Sequence, residues 1–326
     1  MGNFQLRATK HEFKCMASEV IFEIVEPTEG AENAIRSAEN IFKEIEASCS
    51  RFIPDSPLMV ANSAPHLWHE LPELAVSLIQ GAYGAYCLTG GVFDPRILND
   101  LVASGYDSSM QFLVGPVGSE SIVTATFPAG GAYGRLTEKW TPEFNGAKVC
   151  LGALPIDLGG IGKGFAVTQA MVILKEFGTG VLVEAGGDIA VTGKSTEGEL
   201  WRIGVEDPWA PDSDPVLVVE LKNSGIATSS IRLRSWKKEG ALTHHLIDPS
   251  TGKAGGEGLV SVTVIAASTQ LAEVWSKTLF LAGAHKIAAT AKELKIAVAW
   301  VEINRNVHTN LQFDDYVIWA APAHQS

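Results

Sequence analysis

The order of strand-like and helix-like segments restricts the possible folds of this chain more than any other feature. Apolar alternation and β-branched runs predict strands, and apolar residues at helical spacing predict helices. Strand pairs mixed with single helices favour α+β layers, with mixed or antiparallel sheets flanked by helices, over a strict βαβ winding. The predicted strands are 20–25, 148–151, 181–184, 201–205, 216–221, 260–266, 297–302 and 316–320, and the predicted helices are 32–47, 71–88, 163–177, 270–282 and 285–294.

Composition and charge exclude several classes of protein. The 326 residues include 25 Lys and Arg against 37 Asp and Glu, a formal net charge of −12, and 46% of the residues are hydrophobic. This balance is typical of a soluble globular protein and argues against intrinsic disorder. Because an acidic chain without a basic stretch repels a phosphate backbone, we expect no nucleic acid partner.

The sequence indicates neither a membrane span nor an export signal. The longest uncharged stretch, residues 74–93, contains Ser77, Gln80 and four glycines, so we interpret it as a buried helix that runs into a turn. The first residues lack an apolar signal sequence, and the four cysteines lie far apart. We expect a cytoplasmic location for the chain as encoded, and a periplasmic or extracytoplasmic one if an export signal has been removed.

A glycine-rich segment between a predicted strand and a predicted helix is the first candidate for ligand binding. Residues 157–165 read Asp-Leu-Gly-Gly-Ile-Gly-Lys-Gly-Phe. Backbone N–H groups at the start of a helix attract anions such as phosphates. The segment is not a Walker loop, because Asp157 and Gly164 replace the Gly and the Ser or Thr of that loop, and Phe165 breaks the dinucleotide fingerprint. The alternative is a tight turn without a ligand.

Shorter segments offer further polar groups. Gly186 and Gly187 follow an apolar strand and would let a planar or phosphorylated ligand approach closely, while Asp188 could accept its N–H or O–H groups. The same residues could equally form a hairpin turn. Residues 93–95 and 227–230, taken alone, are typical of capping or turn sequences.

Two adjacent histidines, His244 and His245, precede another turn sequence, Asp-Pro-Ser-Thr-Gly. Neighbours on an extended segment point to opposite faces, so we expect one histidine to face a site and the other to face solvent or the core. The absence of a third ligand at zinc spacing argues against a zinc site. Composition alone leaves Ser-His-Asp catalysis open, although the chain has no Gly-x-Ser-x-Gly elbow.

Taken together and in this order, the segments resemble the ApbE family, the FAD:protein FMN transferases. The resemblance runs from about residue 16 to the C-terminal strand. Each motif alone is weak, but chance does not explain six of them in order. The matching residues are Ser50, Phe52, Asp55, Ser56 and Asn62, followed by residues 91–95, 157–164, 186–189, 227–229 and 245–252.

The resemblance implies a single domain over residues 1–326, in which two interlocked lobes form a cleft for FAD. It also implies that a Thr or Ser hydroxyl of a target protein attacks the FMN-side phosphorus of FAD and releases AMP. His245 would be the general base, and Lys163 or nearby N–H groups would stabilise the departing AMP. The implied FAD-binding residues are Phe93, Asp94, Asp157, Gly159, Gly160, Lys163, Gly186, Gly187, Asp188, Thr228, Ser229 and His245.

The chain departs from the family at the positions implied to hold magnesium. The family ligands are a carbonyl of the glycine-rich loop, here at Gly162, and an Asp and a Thr that stand four residues apart on a helix. This chain has Glu273 and Lys277 at the last two positions. FAD is therefore the expected cofactor and Mg²⁺ is doubtful. Our hypothesis is that the Lys277 ammonium replaces the ion, and the alternative for this pair is an exposed helical ion pair.

Two other functions are compatible with the same motifs. One is a non-catalytic flavin-binding homologue with a degenerate metal site. The other is an FAD pyrophosphatase, in which water is the nucleophile in the same cleft.

Overall fold

The computed structural model describes residues 6–106, 138–232, 234–238 and 241–322. Its helices are α1 (Ala31–Cys49), α2 (Pro57–Ser63), α3 (Glu73–Leu88), α4 (Leu98–Ala103), α5 (Gly162–Leu174), α6 (Thr269–Ala282), α7 (Ile287–Leu294) and α8 (Leu311–Asp314). Its strands are β1 (Ala8–Cys15), β2 (Ser18–Val25), β3 (Trp68–Glu70), β4 (Glu143–Asn145), β5 (Lys148–Cys150), β6 (Gly180–Ala185), β7 (Asp188–Gly193), β8 (Trp201–Val205), β9 (Leu217–Leu221), β10 (Ser224–Ser230), β11 (Ser235–Lys238), β12 (Ala241–His244), β13 (Ile247–Asp248), β14 (Lys253–Ala254), β15 (Leu259–Ala266), β16 (Ala297–Glu302), β17 (Val307–Thr309) and β18 (Val317–Ala320).

An eight-stranded sheet lies at the centre of the fold, with the strand order β1-β2-β6-β7-β10-β15-β16-β17. Neighbouring strands of this sheet pair in antiparallel register throughout the part of the chain that the structure describes. Smaller sheets have the orders β18-β9-β8, β3-β5-β4, β11-β12 and β13-β14. The predicted α+β class, with antiparallel sheets flanked by helices, is confirmed.

Helices cover one face of the central sheet. On β2, the side chains of Val20, Phe22 and Ile24 alternate toward this face and are fully buried. The Phe22 ring lies near Phe42 of α1, with 5.9 Å between the ring centroids. Phe42 belongs to a buried stripe at helical spacing along α1, which also contains Ala38 and Ile45. The period-2 pattern of the strand and the 3.6-residue pattern of the helix therefore meet in one apolar layer.

Helices α5 and α6 cross at very close range beside this layer. A Cβ atom on Gly164 would lie 2.8 Å from the carbonyl oxygen of Thr269 and 3.0 Å from the Cα of Gln270. Only glycine allows this approach, so the small residue at 164 fixes the distance between the two helices. The N-cap of helix α6 is Ser268, whose hydroxyl accepts the backbone N–H of Leu271 at 3.3 Å.

The three-stranded sheet β18-β9-β8 packs on the opposite face of the central sheet. Trp201, Val219 and Phe313 are buried there in the same apolar cluster as Val191 and Ile265 of the central sheet. The central sheet thus has helices on one side and a second sheet on the other, and both of its faces bury apolar surface.

The structure changes several predicted boundaries. The helix predicted over 71–88 begins at Glu73, because Pro72 has an extended ψ of 149° and acts as the N-cap. The helix predicted over 163–177 ends at Leu174. In the tight turn that follows, the Phe177 N–H donates to the Leu174 carbonyl. Among the described residues, no helix has the length and apolar character needed to cross a bilayer.

One prediction is wrong: residues 227–230 are not a turn but the end of strand β10. Strands β7 and β15 flank β10 and supply its backbone hydrogen bonds. The Thr228 hydroxyl pairs with that of Thr263 at 2.9 Å. Short polar side chains favour turns locally, but the pairing of residues 227–230 with β15 outweighs that preference.

Candidate functional site

A cleft with about 760 Å³ of empty volume opens where loops from both halves of the sequence converge. One wall comes from the segment after α1, the loop between α3 and α4, and the glycine-rich segment before α5. The other comes from the β11–β13 region and from α6. The lining residues are Arg51, Phe52, Val92, Phe93, Asp94, Pro95, Ile97, Leu101, Tyr106, Asp157, Gly159, Gly160, Arg234, His245, Leu246, Ile247, Pro249, Lys277 and Leu281.

The structure brings only part of the residues implied by the resemblance into this lining. The residues that line the cleft are Phe93, Asp94, Asp157, Gly159, Gly160, His245 and Lys277. Three others, Lys163, Asp188 and Glu273, lie beside Lys277 in a buried group of charges. The residues that lie elsewhere in the described part of the chain are Gly162, Gly186, Gly187, Thr228 and Ser229.

His245 follows strand β12 and lines the cleft. Its Nδ1 lies 3.3 Å from the carbonyl oxygen of Arg234, which can only accept, so Nδ1 carries the proton. Burial lowers the pKa of His245 well below its usual value, and the positive charges of Arg234 and Lys277 contribute. The imidazole is therefore neutral near pH 7, and its Nε2 lone pair is left to accept a proton.

His244 occupies a different environment from its neighbour. It is 1% exposed, its Nδ1 accepts the N–H of Leu246 at 3.2 Å, and its ring meets Phe280 edge to face. Burial lowers the pKa of His244 to about 4, and a hydrogen bond with the backbone of Gly255 partly offsets the fall. The structure thus places His245 at the cleft and His244 in the core, and the role of His245 in a site stays a prediction.

Asp157 and Arg51 form a buried ion pair in the cleft. The Arg51 Nε lies 3.2 Å from Asp157 Oδ2, and the side chains are 7% and 9% exposed. Asp157 Oδ1 also accepts the N–H of Gly159 at 3.0 Å, which fixes the start of the glycine-rich loop. Burial raises the pKa of the Asp157 carboxyl, and the charge of Arg51 offsets part of the rise.

Asp94 has a partner of its own within the same turn. Its carboxylate accepts three hydrogen bonds from the Arg96 side chain, at 2.7 to 3.2 Å, and one from the Arg96 backbone at 2.9 Å. The pair holds the Phe93 turn against the cleft. Next to it, a Cβ on Gly160 would lie 3.4 Å from the Phe93 ring and 3.5 Å from the Lys277 side chain. Glycine at 160 therefore leaves cleft volume that a larger residue would fill.

Lys163, Asp188, Glu273 and Lys277 make up what we call the ion cluster. The Lys163 ammonium contacts the Asp188 carboxylate and lies 3.8 Å from Glu273 Oε1, which is 3.1 Å from the Lys277 ammonium. Glu273 Oε2 accepts the N–H of Gly164 at 2.8 Å, at the start of α5. Two ammonium groups thus balance two carboxylates, and Glu273 is only 1% exposed rather than part of a surface ion pair.

Charge pairing outweighs burial for two members of the ion cluster, Glu273 and Lys163. Burial alone would raise the pKa of Glu273, but the charges of Lys277 and Lys163 lower it below its usual value. Burial alone would lower the pKa of Lys163, but Asp188 and Glu273 hold it above its usual value. Glu273 and Lys163 therefore stay charged at neutral pH, whereas burial raises the pKa of Asp188 in spite of the charge of Lys163.

The residues at the family metal positions do not fit Mg²⁺. Magnesium requires about six oxygen ligands at roughly 2.0–2.1 Å in an octahedron. Both oxygens of Glu273 already have N–H partners, and a charged Lys277 has no lone pair to donate. In the ranges that the structure describes, no group of three or more His, Cys, Asp or Glu side chains could hold a metal ion.

The second glycine motif, at residues 186 and 187, forms a turn of the central sheet. Gly186 and Gly187 have φ values of 57° and 87° and form the two-residue hairpin between β6 and β7. A Cβ on Gly186 would lie 2.6 Å from the Ser18 hydroxyl. Ser229 is equally structural, since its hydroxyl pairs with that of Ser276 at 2.7 Å. Of this motif, Asp188 joins the ion cluster beside the cleft through its contact with Lys163.

Reasoning from the sequence missed several residues of the cleft. Arg51 stands inside the Ser-x-Phe motif but at its variable position, and Arg234 and Tyr106 belong to no motif. The one available signal was Arg51 itself, a charged residue directly before the apolar pair Phe52 and Ile53, beyond the end of a predicted helix. Arg234 and Tyr106 reach the cleft only through tertiary folding.

Known proteins share this fold and much of the sequence pattern. The sequence profile of the ApbE family matches residues 16–300. The chain belongs to the ApbE family. Its fold matches an ApbE protein from Thermotoga maritima with a TM-score of 0.77 at 26% identity, covering 95% of this chain and 99% of that one. The fold of the flavinyl transferase ApbE of Pseudomonas stutzeri matches with a TM-score of 0.75 at 23% identity, over 97% and 98% of the two chains.

Curated members of the ApbE family are also similar in sequence. The FAD:protein FMN transferase of Haemophilus influenzae is 35% identical over 167 residues, which is 49% of this chain and 48% of the relative. The FAD:protein FMN transferase of Vibrio cholerae is 30% identical over 180 residues, 55% of this chain and 52% of the relative. The chain therefore spans about half the length of the curated relatives it matches.

Proposed function

We propose that this protein is an FAD:protein FMN transferase. A Thr or Ser hydroxyl of an acceptor protein attacks the FMN-side phosphorus of FAD. A phosphoester bond forms between the hydroxyl oxygen and that phosphorus, the phosphoanhydride bond breaks, and AMP leaves. The proton of the hydroxyl goes to His245. FAD is the substrate, and the acceptor protein is the second partner.

The observation that carries this proposal is the state of His245. Its Nδ1 proton is held by the Arg234 carbonyl, and its depressed pKa keeps the ring neutral. A neutral imidazole with an available Nε2 lone pair can take a hydroxyl proton, whereas an imidazolium cannot. The Leu246 and Ile247 side chains beside it also line the cleft and limit the access of water.

The rest of the cleft suits a flavin nucleotide. Phe52 and Val92 are 40% and 42% exposed and present apolar surface on which a flat ring can pack. Lys277 has the only ammonium that the described cleft residues contribute to the lining, and it faces the position of the leaving phosphate in this proposal. Because Lys277 lines the cleft and Lys163 does not, we assign the electrostatic stabilisation of AMP to Lys277 rather than to Lys163.

A second candidate is a flavin-binding protein without transferase activity. The ion cluster favours it, since an ion pair takes the positions of two family metal ligands. Such a protein would bind FAD in the same cleft and leave it intact.

Mass spectrometry of synthetic peptides after incubation with FAD separates these functions. Each peptide contains one Thr or Ser, and its control has Ala at that position. Transfer adds one FMN group to the hydroxyl peptide alone and releases AMP. Free FMN and AMP without a modified peptide indicate a pyrophosphatase, and unchanged FAD indicates the binding protein.

The two histidines provide a matched pair of variants for the same assay. His245→Gln should abolish transfer and leave FAD affinity nearly intact, because the imidazole acts on the incoming hydroxyl. His244→Gln should retain transfer, since its ring lies in the core. Equal losses in both variants would contradict the assignment of the base.

A further inference from the structure

Arg51 is a buried guanidinium that keeps one donor group unused. Its Nε pairs with Asp157 at 3.2 Å, and its Nη1 donates to the Tyr106 carbonyl at 2.5 Å. The guanidinium carbon lies 4.3 Å from the centre of the Phe52 ring and 4.0 Å from that of Tyr106. Nη2 is buried and has no hydrogen-bond partner among the described residues. Because an unpaired buried donor is costly, it marks a place where a ligand supplies the acceptor.

Arg234 brings a second guanidinium to the same cleft. It is half-buried, and within the described ranges its side chain has neither a hydrogen-bond nor an ion-pair partner. Its positive charge acts on both Asp157 and His245, so it lies within electrostatic range of both cleft walls. Its backbone carbonyl also holds the His245 ring, which places the guanidinium next to the proposed base.

The carboxylates of the cleft leave these donors unsatisfied. Asp94 is already paired with Arg96, and Asp157 with the Nε of Arg51. Among the described cleft residues, Arg234 then has a charge without a counter-ion and Arg51 keeps an unpaired Nη2 donor, while Lys277 pairs with Glu273. Guanidinium groups match the oxygens of a phosphate in a fork, and they hold it without a metal ion.

We propose that Arg51 and Arg234 form a clamp for the diphosphate of the bound nucleotide. Arg51 is the preorganised half, because Asp157, the Tyr106 carbonyl and two rings fix its orientation. Arg234 is the adaptable half, and it places the diphosphate beside His245. The identity of the nucleotide as FAD rests on the proposed function, whereas the clamp itself requires only a diphosphate.

Calorimetric titration in EDTA tests the clamp with three probes: FAD, riboflavin, which has no phosphate, and inorganic pyrophosphate. Arg234→Gln should weaken FAD and pyrophosphate by about tenfold or more and leave riboflavin within about twofold of the wild type. Arg51→Lys keeps the charge but loses the fork, and it should show the same pattern. Circular dichroism melting identifies any loss that arises from unfolding.

The chain offers a matched control two residues away. Arg232 carries the same charge, but its Nε is 2.7 Å from Glu206 Oε1 and it does not line the cleft. Arg232→Gln should leave all three affinities within about twofold of the wild type. Equal losses of affinity in the Arg232 and Arg234 variants would show that only the overall positive charge matters, and they would overturn the clamp.

The probes separate failure of the clamp from failure of the proposed function. The wild-type protein could bind FAD and riboflavin tightly while neither Arg234→Gln nor Arg51→Lys changes these affinities. That result overturns the clamp but not flavin binding. Pyrophosphate binding that depends on both arginines, without flavin binding, supports the clamp and overturns the flavin function. A wild-type protein that binds none of the three probes overturns both.

Discussion

The ion cluster and the arginine pair of the cleft are both charged and at least half-buried, yet they satisfy their charges in opposite ways. In the ion cluster, each carboxylate has an ammonium partner and Glu273 also receives a backbone N–H. In the cleft, Arg51 keeps an unpaired donor and Arg234 has no side-chain partner among the described residues. A closed network holds helices α5 and α6 in place, whereas an open one is ready for an anionic ligand.

The largest expected difference between the two regions is in stability. Glu273→Gln leaves Lys277 without its carboxylate and should lower the free energy of unfolding by about 3–5 kcal/mol, because it breaks a buried ion pair. Arg234→Gln removes a charge without a protein partner and should change stability by no more than about 0.5 kcal/mol. Urea unfolding of both variants measures the contrast, and similar small losses in both would contradict it.

Acid should destabilise the core through the buried, neutral His244. The pKa of His244 is about 4 in the folded state, compared with about 6.5 in the unfolded chain. The unfolded chain therefore binds more protons as the pH falls from 6.5 toward 4, and stability falls by about 3 kcal/mol in this window. His244→Gln should flatten that part of the curve of unfolding free energy against pH. An unchanged slope in the variant would contradict the buried neutral histidine.

Two glycines of the same glycine-rich segment, one before helix α5 and one inside it, sharpen the comparison. Gly164→Ala places a Cβ 2.8 Å from the backbone of Thr269, so it should cost about 1–3 kcal/mol of stability. Gly160→Ala meets nothing closer than 3.4 Å and should cost little stability while it narrows the cleft. Thermal unfolding and FAD titration of the two variants give opposite patterns if the ion cluster supports the fold and the cleft binds the ligand. If both variants lose stability alone, or both lose FAD affinity alone, the division of roles between the ion cluster and the cleft is contradicted.

The double change Glu273→Asp with Lys277→Thr should make FAD binding depend on Mg²⁺, with a modest change in affinity. It restores the two oxygen ligands of the family pattern and removes the ammonium. FAD should then bind about tenfold more tightly with Mg²⁺ than with EDTA. The single change Lys277→Met, which removes the charge and adds no ligand, is the control and should remain insensitive to Mg²⁺. A double variant that also ignores Mg²⁺ would show that these positions do not form a metal site in this chain.

Strong local patterns made much of the fold predictable from the sequence. The alternation of Val20, Phe22 and Ile24 and the helical stripe of α1 each bury one face, so period alone identifies them. Strand β10 was not predictable in this way, because its Ala-Thr-Ser-Ser end depends on pairing with β15. The arrangement of residues 1–326 as one domain of two interlocked lobes stays a prediction.

The site was predictable only where chemistry and chain position coincide. His245, Asp157 and Lys277 lie in motifs and also line the cleft. Gly186 and Gly187 fit the motif equally well but form a hairpin, since a glycine pair satisfies a positive-φ turn as readily as a ligand loop. Arg234 escaped detection because its importance depends on the carbonyl contact with a residue eleven positions later.

The central claim is that the cleft binds FAD through its own cations rather than through a divalent metal ion. Calorimetric titration of the wild-type protein with FAD, in EDTA and in excess Mg²⁺, tests it directly. The ion cluster and the two arginines predict dissociation constants that agree within about twofold in the two buffers. Binding that requires Mg²⁺, or tightens by more than about tenfold when it is added, would contradict the claim.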